Sequence, residues 1–146
     1  MNDRRIAVRF PATMPGFETA FGQLRGALDH EALPNTARYQ IELVFEEIVA
    51  NVVRHGAIPG GEVQVEVSLE LQPDRIDMCF KDDGLRFDPC GQPDVTLPTS
   101  LDRAPVGGLG LLMVRKAATG MRYERTADEH NRLLVTLPLT VTPPAR

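Results

Sequence analysis

No apolar stretch in this chain of 146 residues approaches the ~20 residues needed to cross a bilayer, which excludes a transmembrane helix and leaves no reason to expect a membrane partner. Cysteine is scarce. Cys79 and Cys90 are the two present, with no CxxC pattern and no histidine at ligand spacing, so a disulfide framework and a metal-thiolate site are both disfavoured. An excess of positive charge is missing as well. The net charge is −4 and the sequence pI about 5.4, a poor electrostatic match to a nucleic-acid backbone. The opening residues MNDRRIAVRF lack the apolar segment of a secretory signal, so the expected location is the cytoplasm.

What remains is the balance of one ordinary globular domain over residues 1–146, with 42% hydrophobic and 25% charged residues. Ile6, Val8 and Phe10 alternate and predict a first strand over 5–10, followed by a turn at Pro11 and Pro15-Gly16. Phe17, Phe21, Leu24 and Leu28 recur at helical spacing over 17–32, before Pro34. Over 35–55 the pattern is clearest. Ile41, Val44, Phe45, Ile48, Val49, Val52 and Val53 form one apolar stripe, and Gly56 stands at the C-terminal cap position.

Past Pro59-Gly60-Gly61 the period changes to two. Val63, Val65, Val67, Leu69 and Leu71 share one face of a strand, and Glu62, Gln64, Glu66, Ser68 and Glu70 the other. Ile76, Met78 and Phe80 continue as its hairpin partner after Pro73-Asp74. Residues 83–106, with Pro89, Pro93, Pro98 and Pro105, break every pattern and read as a functional loop or lid. A helix over 107–118 and strands near 121–126 and 132–139 complete the order. It predicts an α+β two-layer sandwich, with helices on one face of a mainly antiparallel mixed sheet.

Three groups of residues point to chemistry. Glu47 and Asn51 are spaced i, i+4 on the long helix, and Asn51 falls at the margin of the apolar stripe, followed by Arg54 and His55. An amide oxygen there suits Mg²⁺, and Arg54 is placed to reach a phosphate; a capping or solvated asparagine is the bland alternative. His55, in the last helical turn, reads as a partner for the helix dipole.

Counting by twos from Ile76 brings Asp82 to the buried face and sends Asp83 the other way. A buried carboxylate needs a donor, and the amine of adenine is one; a turn cap at Asp-Gly is the alternative. Gly107-Gly108-Leu109-Gly110 opens a helix, where free amides favour an anion. The same glycines also suit a plain hinge.

In this order and spacing the three motifs resemble the nucleotide-binding boxes of the GHKL ATPases, the Bergerat fold. FEEIVANVVRHG, DDGLRFDP, GGLGLLMVRK and the closing HNRLLVTLPL are most similar to the anti-sigma-factor serine/threonine kinases. The resemblance implies Mg²⁺ held by Asn51, ATP as substrate with its adenine amine on Asp82, and room for the ring at Gly84. It further implies phosphate contacts from Gly107, Gly108 and Gly110, and Glu47 as general base. The partners it implies are an anti-anti-sigma (STAS-type) protein as phosphoacceptor, a sigma factor to be sequestered, and a second copy in a homodimer. Arg86 departs from the pattern, standing where many GHKL proteins carry a second glycine. A rival reading keeps ATP as the shaper of a binding surface in a regulatory switch, without phosphotransfer.

Overall fold

The computed structural model describes residues 4–91 and 108–139. Strand β1 (Arg4–Pro11) leads to helices α1 (Met14–Leu28) and α2 (Asn35–His55), then the hairpin β2 (Gln64–Leu71) and β3 (Arg75–Asp82). A 3₁₀ turn (Pro89–Gly91), helix α3 (Gly108–Ala117) and strands β4 (Gly120–Arg125) and β5 (Asn131–Pro138) follow. The five strands lie in the order β1-β2-β3-β5-β4, and every pairing is antiparallel. This is the α+β two-layer arrangement that the alternation of periods predicts. Of the loop read as a lid, residues 83–91 are described and 92–106 lie outside the described residues, as does Gly107.

One boundary differs from the expectation. Pro15 and Gly16 do not form a turn but sit in the first turn of α1, which starts at Met14 and ends at Leu28 rather than near residue 32. Proline is preorganised for that position, where its missing N–H has no helical partner to lose. The Thr13 side chain caps the helix by accepting from the Gly16 amide at 3.1 Å.

The core lies between the helices and one face of the sheet. Ala20, Leu24 and Leu28 of α1, and Ile41, Val44, Phe45, Ile48 and Val49 of α2, pack on Val65, Val67, Leu69, Ile76, Met78, Phe80, Val135 and Leu137. Phe45 anchors it, with Phe10, Phe17 and Phe21 at ring-centre distances of 5.9, 5.8 and 5.8 Å. α3 is fastened to this core through Leu111 and Val114. The opposite face of the sheet is polar, and across it Arg9, Glu66, Lys81, Arg132 and Glu124 stand in register with largely alternating charge. Among the described residues no helix is long and apolar enough to cross a membrane.

Candidate functional site

The apolar alternation of β3 carries Ile76, Met78 and Phe80 into the core, and the next inward position is Asp82. Its carboxylate is buried, with 6% of the residue exposed. Oδ1 accepts from the Gly84 amide at 2.9 Å and from Asn131 Nδ2 at 3.0 Å, which leaves Oδ2 without a hydrogen bond to any described residue. Burial pushes the Asp82 carboxyl above its ordinary range, and the bonds from Asn131 and Gly84 only partly offset this. Asp83 faces the other way, where its Oδ1 accepts from the Gln64 amide at 2.7 Å. The phase of the strand thus separates two adjacent carboxylates into a buried group, one oxygen of which bonds to no described residue, and one that meets the first amide of β2.

Asp82 lines a small pocket, partly open to solvent, between the C-terminal half of α2 and the ends of β3 and β5. Ile48, Val52, Phe80 and Leu133 supply apolar walls; Leu85, Phe87 and Pro89 close it from the loop side; Tyr123 lies along β4. Apolar walls with a few placed polar groups are what a flat heterocycle needs. Phe87 is held over the pocket by the His55 ring, stacked on it at 4.4 Å. His55 therefore meets an aromatic ring, a role that its place at a helix end did not suggest.

Asn51 stands on the pocket wall from α2 and is itself buried. Its Oδ1 accepts from Arg54 Nη1 at 3.2 Å. Its Nδ2 is the one buried side-chain polar atom without a partner among the described residues. Such an atom is costly unless a ligand satisfies it. Arg54 is exposed, one turn on.

Glu47, one turn before Asn51, is half-buried between α2 and α3. Burial is the first cause that raises its pKa; the neighbouring Glu46 adds to the shift and Arg54 opposes it. Its carboxylate lies directly against Gly110. The structure thus brings Asn51 and Asp82 to one pocket, with Gly84 bonded to Asp82 beside it but not among the lining residues, and Glu47 to the start of α3, where Gly108 and Gly110 lie.

Gly84 is required by a closer neighbour than any ligand. A Cβ there would stand 2.5 Å from the carbonyl oxygen of Gly56 and 3.0 Å from Asp82 Oδ1. The absent side chain lets the loop dock on the end of α2, where the Leu85 amide donates to that same carbonyl at 3.1 Å.

Asn131 is the residue that sequence reading missed. It is paired with Asp82 in the β3–β5 register and is buried. Its Nδ2 also donates to the Leu85 carbonyl at 2.7 Å, while its Oδ1 accepts from Tyr123 Oη at 2.5 Å and from the Phe87 amide at 3.3 Å. Both donors and both acceptor positions are used. Counting back by twos from Leu137 through Val135 and Leu133 turns Asn131 inward, the same signal that exposes Asp82. Asn131→Ala would leave several buried groups unpaired, each costing about 1–3 kcal/mol. Urea denaturation should show a loss of at least that size, and Tyr123→Phe a smaller one.

A two-layer α+β domain with a buried carboxylate at the floor of an apolar pocket and a buried asparagine on its wall defines the class. Residues 10–137 match the histidine kinase-like ATPase domain, and the chain belongs to that family. It is 29% identical over 113 residues to the serine/threonine-protein kinase BtrW of Bordetella bronchiseptica, covering 75% of this chain and 79% of that one. Its fold is similar to that in the crystal structure of the RsbU and RsbW domains of Rv1364c from Mycobacterium tuberculosis, with a TM-score of 0.63 and 20% identity. That match covers 98% of this chain and 34% of the larger one, so the chain spans about a third of its length.

Proposed function

We propose that this chain is an ATP-dependent serine/threonine protein kinase that acts as an anti-sigma factor, phosphorylating an anti-anti-sigma protein and sequestering a sigma factor. The observation that carries the ATP part is the buried Asp82, one oxygen of which bonds to none of the described residues, in an apolar pocket. The likeness to a named serine/threonine kinase supports the phosphotransfer part.

In this reading adenine enters between Ile48, Val52, Phe80 and Leu133, and its amine donates to Asp82 Oδ2. The triphosphate runs along α2 toward the first turn of α3, where the amides of Gly108 and Gly110 face the phosphates; the phosphate contact expected of Gly107 falls outside the described residues. Arg54 lies within reach of a phosphate oxygen. Glu47 takes the proton of the attacking serine hydroxyl as its oxygen bonds to the γ-phosphorus, and ADP leaves with the electrons of the broken bond. A carboxylate whose pKa is raised by burial is a better base at neutral pH than an exposed one.

The residues fit a magnesium ion. Turning the Asn51 amide over places Oδ1 where the unpartnered Nδ2 now lies and frees Arg54 for a phosphate. Among the described residues no cluster of three His, Cys, Asp or Glu side chains is placed to hold an ion. Phosphate oxygens and water would complete the shell, as Mg²⁺ favours. When bound, the ion neutralises charge on the phosphates.

Asn51→Ala should therefore abolish most of the magnesium-dependent gain in ATP affinity and leave the fold intact. ATP titrations with and without Mg²⁺ measure this, and a full magnesium effect in the variant refutes the role. The function itself is tested by incubating the purified protein with radiolabelled ATP, Mg²⁺ and candidate anti-anti-sigma proteins. Label on a partner serine supports the kinase. Tight, ATP-dependent binding of a sigma factor without any transfer would leave a binding switch instead.

A further inference from the structure

We propose that Gly110 lacks a side chain for the sake of Glu47, and is a positioning residue for that carboxylate rather than only a contact for phosphate. The inference rests on the kinase reading for its catalytic consequence, but its structural half stands alone. A Cβ built on Gly110 would fall 1.6 Å from Glu47 Oε2, 2.2 Å from its Cδ and 2.9 Å from its Cγ. These three nearest atoms all belong to one side chain.

The backbone gives no other reason for glycine here. Gly110 is the third residue of α3, and among the described glycines only Gly60, at φ 73°, has a left-handed conformation. A helix disfavours glycine against alanine by about 0.5–1 kcal/mol, so local propensity works against this residue. Elsewhere, a Cβ on Gly22, Gly26 or Gly120 meets nothing within 4 Å. At residue 110 the three nearest atoms it meets all belong to the proposed base.

Neither helix is free to back away. Leu111 and Val114 fix α3 in the core, and Val44 and Ile48, on either side of Glu47 in sequence, fix α2. The one part that can yield is the Glu47 side chain. In Gly110→Ala the carboxylate should therefore swing away from α3, with little change in the backbone. The first turn of α3 then acts on chemistry through Glu47, in addition to any contact of its amides with phosphate.

Three measurements on Gly110→Ala test this. Calorimetry should find any loss of ATP affinity far smaller than the loss of transfer rate, because alanine keeps the backbone amide of residue 110. Single-turnover phosphotransfer should fall by roughly 10²–10⁴, as in Glu47→Gln, because both remove the positioned base. The double variant should be no slower than the single ones, to within about two-fold, since both changes remove the same interaction. A crystal structure of Gly110→Ala should show Glu47 turned out, with α2 and α3 in place.

The proposal is overturned if Glu47 keeps its position in that structure, if the two rate losses multiply, or if ATP affinity collapses while the transfer rate at saturation is unchanged. Should wild type transfer no phosphate, the kinase reading fails, and the crystal structure still decides whether Gly110 makes room for Glu47.

Discussion

Glu47→Gln should slow single-turnover phosphotransfer to the protein substrate by about 10²–10⁴, the usual worth of general-base help. The substitution keeps the size of the side chain, so the fit against Gly110 is preserved. It removes the proton acceptor. ATP affinity should stay close to wild type, because Glu47 is not among the residues that line the pocket around Asp82, where adenine is proposed to bind. Rapid-quench kinetics beside a nucleotide titration separate the two quantities. Equal losses in both would mean that Glu47 contributes to binding and not to proton transfer. The wild-type rate should also decline on acidification at a higher pH than an ordinary carboxylate would give, since burial raises the Glu47 pKa.

Asp82→Asn should weaken ATP binding by roughly ten- to a hundred-fold, corresponding to the ~1.5–3 kcal/mol of a hydrogen bond to a charged group. Asp83→Asn should change it little, because that carboxylate serves the Gln64 amide on the other side of the strand. Calorimetry on both variants measures the contrast, and equal losses would refute the division of labour. Wild-type ATP affinity should fall with decreasing pH through the raised Asp82 pKa, a step that Asp82→Asn lacks.

The same shift fixes the sign of an effect on stability. Between the ordinary carboxylate value and the raised one, the folded protein binds more protons than the unfolded chain, so stability falls as pH rises through that window. At neutral pH the buried charge is a net cost. Asp82→Asn should therefore be no less stable than wild type while binding ATP worse, as expected where a binding group is kept against the interest of the fold.

The parts of this architecture that a single period controls could be read from the sequence. The stripe Ile41–Val53 gave α2 with its limits, and the alternation in β2 and β3 gave both the one-sided sheet and the inward turn of Asp82. Helical spacing puts Glu47 and Asn51 on one side of α2, with Arg54 close by, while the roles proposed for them come from the family resemblance. The start of α1 was hidden because proline and glycine signal a turn as readily as a first helical turn, and only the Thr13 cap distinguishes them. Asn131 was hidden for another reason. The alternation of β5 turns it inward, but its pairing with Asp82 comes from the β3–β5 register, which no local window contains. Gly84 and Gly110 were recognised as glycines that matter, but the neighbours that require them, Gly56 and Glu47, lie on a different element in each case.

The most direct test of the whole account is a crystal structure with Mg²⁺ and a non-hydrolysable ATP analogue. The expected result is the adenine amine on Asp82 Oδ2, the metal on Asn51 Oδ1, and the γ-phosphate beside Glu47 at the first turn of α3. A nucleotide bound elsewhere, or a base in this pocket whose amine does not meet Asp82, would contradict it.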